Sequence, residues 1–171
     1  MKRLTILRHA SASSAGSSLD DFDRPLNDRG TVSARLLGKE LKRRGISFDH
    51  MIASPALRVR ETLDQIARGY GDLPAVTFDR EIYSATVQSL LEMIRALPRE
   101  ARNPLLVGHN PTLEHLVMSL TKDDPNGFRA EVARGYPAGA LATIELCVAD
   151  WTQVSPGTGT IVELILPREL N

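Results

Sequence analysis

The chain has 171 residues, 42% of them hydrophobic, with 21 basic and 21 acidic side chains. One domain of this length buries a proper core. The balanced charge excludes a general electrostatic attraction to nucleic acid or to an anionic membrane, so any anion site must be local. No apolar run approaches the roughly 18 residues of a membrane span. We therefore expect one cytoplasmic domain over residues 1–171, with neither nucleic acid nor membrane as a partner.

The first predicted strand is the apolar run 4–7, which ends on Arg8 and His9. This pattern indicates a buried strand that carries a guanidinium and an imidazole to one end of a sheet. The small residues 11–18 show no periodicity and predict a loop. That loop is either a surface segment or a wall of backbone N–H groups and hydroxyls beside His9 that binds an anion.

The first predicted helix begins near Arg29, where Asn27 or Asp28 is expected to cap it, and Gly45 ends it. Its basic residues, between 39 and 44, lie mostly outside the apolar face. Such a cluster is usually a solvated surface, and we do not interpret it as a nucleic-acid site.

Residues 48–53 predict a second strand, after which Ser54 is expected to cap a helix and Pro55 to occupy its first position. Helical side chains lean toward the N-terminus, so Arg58 in the first turn reaches back over the strand end. Arg60 lies about as far from the apolar stripe on the other side. Periodicity alone does not choose between these two arginines.

The sequence 108–111 repeats this order of strand, polar residue, proline and helix, and it places His109 at a further strand end. Alternation of strands and helices predicts an α/β fold with three α/β/α layers and a mainly parallel sheet with an antiparallel edge strand. The remaining predicted strands are 75–78, 105–107 and an antiparallel pair at the sheet edge, 141–148 with 160–166; the remaining predicted helices are 87–97 and 113–120.

The cysteine, the histidine spacing and the missing motifs argue against thiol, metal, nucleotide-binding and serine-nucleophile chemistry. The one cysteine, Cys147, lies in an apolar run and is expected to be a small buried core residue. The four histidines include no pair at i, i+4, so the sequence indicates no metal site. It also carries neither a glycine-rich nucleotide loop nor a Gly-x-Ser-x-Gly turn.

The remaining candidates for chemistry are the histidines and arginines at the strand ends. In parallel sheets, ligand-binding and catalytic sites form at the carboxyl ends of the strands. His9, Ser54 and His109 all lie there in this interpretation. The fork of an arginine matches phosphate oxygens, and a neutral imidazole is a good nucleophile toward phosphorus. Phosphoryl transfer mainly needs in-line positioning and charge stabilisation. Arg8, Arg58 and His109 around His9 would provide both without a metal.

Four blocks of the sequence resemble the histidine phosphatase superfamily, and most closely its small SixA-type phosphohistidine phosphatase branch. Trp151 and the terminal strand also look similar. The blocks occur in the same order over nearly the whole chain: LRHA at 7–10, RPLNDRG at 24–30, SPALRVRET at 54–62 and VGHNP at 107–111.

The resemblance implies a role for each strand-end residue. His9 would be phosphorylated, Arg8 and Arg58 would hold the phosphoryl group, and His109 would donate to its oxygens. The resemblance thus selects Arg58 over Arg60. It also implies a phosphoglycerate mutase-like fold and no cofactor.

Two positions depart from the family pattern. Larger relatives carry an acidic proton donor in a middle segment, for which Glu81 is the nearest candidate, with imperfect spacing. A missing acid matters less when the bond broken is P–N, because protonated imidazole leaves readily. Ala138 stands where many SixA-like relatives have threonine.

The chain lacks the length for a large insertion over the pocket. An open pocket suits a phosphate on a protein surface, and it also admits small phosphate esters. The favoured hypothesis is a metal-independent phosphatase acting on protein phosphohistidine. The alternatives are a small-molecule phosphatase or mutase, and a phosphate-binding regulatory module with little turnover.

Overall fold

The chain alternates strands with helices in this computed structural model, which describes residues 1–14, 16 and 19–171. The strands are β1 (Lys2–Arg8), β2 (His50–Ala53), β3 (Val76–Phe78), β4 (Pro104–Gly108), β5 (Leu141–Leu146) and β6 (Gly159–Ile165). The helices are α1 (Asp28–Arg44), α2 (Leu57–Tyr70), α3 (Val87–Arg95), α4 (Thr112–Leu120) and α5 (Phe128–Arg134). None of the described helices is long and apolar enough to cross a bilayer.

The strands form one sheet in the order β3-β2-β4-β1-β5-β6. The pairs of β1 with β4, β4 with β2, and β2 with β3 are parallel. β5 is antiparallel to both β1 and β6. In the strand order, β6 forms one edge of the sheet and β5 lies next to it. The mainly parallel sheet and the C-terminal antiparallel pair are therefore confirmed.

Helices cover both faces of the sheet, because the central strands are apolar on both sides. Leu4 and Ile6 of β1 pack on one face with α3 and α4, whereas Leu7 packs on the other face with α1 and α2. All three side chains are fully buried. This is the three-layer α/β/α arrangement that strand–helix alternation predicts.

The start of α1 agrees with the cap predicted from the sequence, whereas the start of α2 differs from its predicted cap. The Asn27 side chain accepts a hydrogen bond from the backbone N–H of Gly30 and caps α1, as expected. Ser54 does not cap α2, which begins two residues later than expected, at Leu57 with Ala56 before it. The Ser54 hydroxyl accepts from the backbone N–H of Ala56 at 3.3 Å, just before the helix, and also contacts a residue on another loop, as described below.

Two further features correct the sequence interpretation. Cys147 is exposed, because β5 ends at Leu146 and the chain leaves the sheet there. Helix α5 had no predicted counterpart, since its seven residues are too few to show helical periodicity.

Helices α1 and α2 cross at two glycines. A Cβ at Gly38 would lie 2.2 Å from the carbonyl oxygen of Ile66, and a Cβ at Gly69 would lie 2.2 Å from that of Arg35. Each backbone therefore occupies the space that a side chain on the other would need. This contact fixes where α2, and with it Arg58, lies over the sheet.

We predict that Gly38→Ala destabilises the protein by about 1–3 kcal/mol, because overpacking at a backbone contact outweighs the ~1 kcal/mol by which alanine favours a helix. Denaturant unfolding measures the change. The neighbouring exposed substitution Lys39→Ala is the control and should stay within about 0.5 kcal/mol of the wild type. Equal stability of Gly38→Ala and wild type would contradict the close crossing.

Candidate active site

The carboxyl ends of β1, β2 and β4 lie side by side and carry the candidate residues. Arg8 pairs with Gly108 in register, and Ala53 pairs with Val107. The residues that follow these strands, His9, Ser54 and His109, consequently meet at one edge of the sheet, as parallel strand ends do.

A cavity of about 590 Å³ opens at this edge. Four of the five predicted site residues line it: Arg8, His9, Arg58 and His109. Its described lining also includes Ser11 and Ala12 from the loop predicted as a possible anion-binding wall, and Ala138. The sequence interpretation had given no role to the other lining residues, which are Asp21, Arg24, Tyr83 and Asn110.

His9 is held with one ring nitrogen toward the backbone. Its Nδ1 lies 2.7 Å from the carbonyl oxygen of Ala10, which can only accept, so we assign the ring proton to Nδ1. Its Nε2 lies 3.3 Å from Nε of Arg58, which can only donate. Nε2 is therefore unprotonated and carries the lone pair that a nucleophile needs, which accepts a hydrogen bond from Arg58 in the free protein.

The pKa of His9 is lowered to about 4, first by burial and then by the charges of Arg58, Arg8 and Arg24; the backbone hydrogen bond at Ala10 opposes these effects. Below this pKa the ring would be protonated and could not attack phosphorus. At pH 7 the imidazole is neutral and available.

His109 lies between Ser54 and Arg58, with its ring centroid 5.3 Å from that of His9. Its Nδ1 is 3.3 Å from a terminal nitrogen of Arg58, and its Nε2 is 2.7 Å from the hydroxyl oxygen of Ser54. Because the guanidinium can only donate, we assign the ring proton to Nε2, which then donates a hydrogen bond to the Ser54 hydroxyl. Burial, the neighbouring His9 and the Arg58 charge lower the pKa of His109 to about 3.

Arg58 is the predicted arginine that enters the cavity. It is 5% exposed. Arg60, on the other side of the helix, donates to the Pro55 carbonyl and lies over the ring of Phe78, outside the cavity lining. The orientation of α2 about its axis, which periodicity could not fix, thus directs Arg58 into the cavity, in agreement with the family resemblance.

Asp21 is the carboxylate that faces Arg58. Its backbone oxygen accepts from Arg58 at 2.7 Å and its side chain accepts from Arg58 at 3.1 Å. Tyr83 donates to the same carboxylate at 2.6 Å and Arg24 at 2.9 Å. The hydrogen bond from Tyr83, followed by the two arginines, lowers the pKa of Asp21 to about 2, so it is ionised at neutral pH.

The Arg8 guanidinium donates to the Tyr136 carbonyl at 2.9 Å. Burial, partly opposed by the charge of Glu114, lowers its pKa, and it nevertheless stays protonated at neutral pH. Its Nε is buried and has no acceptor among the described residues. Arg8 thus brings a positive charge to the cavity, and the described residues accept hydrogen bonds from only some of its N–H groups.

Glu81 lies apart from this group. It is exposed in the turn Arg80–Ile82, and it is not among the residues that line the cavity. Its role as a proton donor stays a prediction. Sequence patterns do not reveal Asp21 and Tyr83, because an isolated aspartate in a turn and an isolated tyrosine after a short turn show no periodicity. Arg24 lies within the RPLNDRG block that carries the family resemblance, and this resemblance was the available signal.

The loop after His9 contributes Ser11 and Ala12 to the cavity. Ala15, Ser17 and Ser18, which also belong to the predicted anion-binding wall, lie outside the described residues. Among residues 1–14, 16 and 19–171, no group of three or more His, Cys, Asp or Glu side chains is placed to hold a metal ion.

Comparison with known proteins shows which family the chain resembles. Residues 4–83 match the model of the histidine phosphatase superfamily (branch 1), a segment that contains His9 and Arg58. Over this segment, just under half of the chain, the protein resembles the histidine phosphatase superfamily. Its structure is also similar to those of SixA-type proteins.

Two solved structures resemble this chain over nearly their whole length. A protein from Agrobacterium tumefaciens assigned as a phosphohistidine phosphatase SixA is 26% identical, with a TM-score of 0.81 and coverage of 97% of this chain and 98% of that one. One from Nakamurella multipartitia, assigned likewise, is 28% identical, with a TM-score of 0.80 and coverage of 97% and 96%. These matches confirm the phosphoglycerate mutase-like α/β fold.

Sequence relatives are also of matching length. An uncharacterised protein of Mycobacterium tuberculosis is 29% identical over 164 residues, which cover 95% of this chain and 100% of the relative. An uncharacterised protein of Mycobacterium leprae is 26% identical over 166 residues, with the same coverage.

We predict that the ring protons of His9 and His109 titrate near pH 4 and pH 3, well below a free histidine. Proton–carbon NMR spectra of the histidine rings measure this, with His9→Ala and His109→Ala providing the assignments. In His9→Ala the pKa of His109 should rise, because one of the groups that lower it is gone. Titration of either ring at pH 6–7 would contradict the buried, cationic site.

The same shifts predict how stability varies with pH. Between about pH 4 and 6.5 the unfolded chain binds more protons than the folded one, so the free energy of unfolding falls as the pH drops through this range. Denaturant titrations at pH 7 and pH 4.5 measure the loss. It should be smaller in His109→Asn, which lacks one of the two groups.

Proposed function

We propose that this protein is a metal-independent phosphatase that forms a covalent phosphohistidine at His9 and removes phosphate from phosphohistidine on a protein. The observation that carries the proposal is the neutral Nε2 of His9, which lies 3.3 Å from the buried Arg58 guanidinium in the cavity. It combines a nucleophile with the cation that a phosphoryl group requires.

In the first step the Nε2 lone pair attacks phosphorus. The new N–P bond forms as the bond from phosphorus to the leaving nitrogen breaks, and that nitrogen keeps the electron pair. Arg58 and Arg8 stabilise the charge on the phosphoryl oxygens. The contact of Nδ1 with the Ala10 carbonyl holds the ring in its orientation and stabilises the positive charge that develops on it.

The leaving group decides which substrates fit. An alkoxide needs a proton in the transition state, whereas an imidazole protonated on its other nitrogen leaves without one. Asp21 is the one carboxylate among the described residues that line the cavity, and with a pKa of about 2 it has no proton to give at neutral pH. This favours cleavage of a P–N bond over an alkyl phosphate ester.

In the second step water attacks the phosphorus bound to His9. The N–P bond breaks, its electron pair returns to Nε2, and inorganic phosphate leaves with the oxygen of the water. The proton lost by the water passes to the phosphate or to solvent. His9 is then neutral again and ready for another turnover.

His109 donates to the phosphoryl group only if its proton moves. In the free protein the Nε2 proton points to Ser54, and the Nδ1 lone pair accepts from Arg58. The Ser54 hydroxyl can reverse its role and donate to Nε2, which leaves the ring proton on Nδ1, the nitrogen near Arg58. Ser54 is thus a positioning residue that supports His109 in either tautomer.

The proposal is tested by a rate panel in excess chelator. We expect turnover of phosphohistidine and of phosphohistidine proteins, slower turnover of an aryl phosphate, and little turnover of alkyl phosphates. His9→Ala should abolish activity, and wild type quenched in alkali, where the P–N bond survives, should carry phosphate on His9 by mass spectrometry. Retained turnover in His9→Ala overturns the mechanism. A preference for alkyl phosphates that is lost in Glu81→Gln would instead support a small-molecule phosphatase.

A second prediction concerns Ser54. Because leaving the partly buried Nε2 of His109 without its hydrogen-bond partner costs about 1–3 kcal/mol, Ser54→Ala should lower kcat roughly 5- to 100-fold with little change in KM. Ser54→Thr restores the hydroxyl and should recover part of the loss. Nitrogen NMR shifts of the His109 ring should change in Ser54→Ala. Unchanged shifts together with an unchanged kcat would exclude this role.

A further inference from the structure

A second cleft lies beside the catalytic cavity and shares Ser11 and Ala138 with it. We call it the side cleft, and its volume is about 510 Å³. Its other described lining residues come from the start of α1, from the loop before β5 and from the segment after β6: Arg29, Ser33, Pro137, Leu166, Pro167 and Arg168.

The walls of the side cleft are fixed relative to the nucleophile. The backbone N–H of Gly139 donates to the carbonyl oxygens of Arg8 and His9, at 3.1 and 2.8 Å, and ties the loop before β5 to the end of β1. On the other wall, a Cβ at Gly30 would lie only 1.9 Å from the carbonyl oxygen of Ser11. The start of α1 is therefore packed directly against the loop that leaves His9.

The lining of the side cleft has a distinct chemistry. Pro137, Leu166 and Pro167 supply an apolar surface, and two arginines lie beside it. Arg168 is paired with Glu131 at 2.5 Å, whereas exposed Arg29 has neither an ion-pair partner nor a side-chain acceptor among the described residues. No carboxylate and no aromatic ring occurs among the described lining residues, so the cleft suits an apolar group next to a negative charge and offers no surface for stacking a base.

We infer that the side cleft binds the polypeptide segment that flanks the phosphohistidine of a protein substrate. This rests on the proposed function. A phosphohistidine that enters the catalytic cavity brings its neighbouring residues over Ser11 and Ala138. An apolar side chain then packs against Pro137, Leu166 and Pro167, and an acidic side chain approaches Arg29.

The test compares two phosphohistidine peptides, prepared by phosphoramidate treatment of Glu-Leu-His-Leu-Glu and Lys-Leu-His-Leu-Lys. Wild type should hydrolyse the acidic peptide with the higher kcat/KM. Arg29→Glu should lower that value about 5- to 10-fold and raise that of the basic peptide, because one exposed charge pair contributes about 1 kcal/mol. Free phosphohistidine, which does not reach the cleft, should be hydrolysed at an unchanged rate.

Two controls accompany Arg29→Glu. Arg102→Glu makes the same charge change at an exposed position before β4, at the opposite end of the strand from the site, and should leave the peptide preference unchanged. Ser33→Phe fills the cleft from α1 and should slow both peptides while free phosphohistidine is spared.

The outcomes separate this inference from the proposed function. If wild type hydrolyses free phosphohistidine and Arg29→Glu keeps the peptide preference of wild type, the inference alone is overturned. Equal slowing of all three substrates by Arg29→Glu also overturns it, since that indicates damage to the cavity. No hydrolysis of free phosphohistidine or of either peptide by wild type overturns both.

Discussion

The buried guanidinium of Arg58 is the interaction on which the site depends. It lies within 3.3 Å of both imidazoles and within 3.1 Å of Asp21, and it is 5% exposed. A buried cation lowers the pKa of each neighbouring histidine, because a second positive charge beside it is unfavourable. One side chain therefore supplies the charge for a phosphoryl group and also helps to keep the nucleophile neutral.

A buried cation also requires an anion, and here Asp21 meets that need. Its carboxylate binds Arg58, Tyr83 and Arg24 together, so three elements distant in sequence converge on one group. A phosphoryl group carries the same kind of oxygen and competes for the same donors. Asp21 thus stabilises the arginine in the free protein. A phosphoryl group binds Arg58 only if its interaction with the guanidinium is more favourable than that of the Asp21 carboxylate.

The sequence was informative where a local pattern has a single structural outcome. Alternating apolar runs predicted the layers and the mainly parallel sheet, and strand ends predicted that His9 and His109 would meet, because parallel strands end at one edge. Asn27 was recognised as a cap because few residue types satisfy free N–H groups at a helix start. The pattern failed at Ser54 and Cys147, where a contact from another loop and the exact end of a strand decided the environment.

The sequence by itself determined the order of the six strands and of four of the five described helices, the residues at the strand ends and, through its four motifs, the resemblance to a family. It could not determine the choice between Arg58 and Arg60 from periodicity, the pairing of Asp21 with Arg58 and Tyr83, or the depressed pKa values of the histidines. Those depend on burial and on distances between segments far apart in the chain, which exist only once α1 and α2 have packed at Gly38 and Gly69. Tertiary packing, rather than any local signal, makes the strand-end imidazole a neutral nucleophile beside a buried cation.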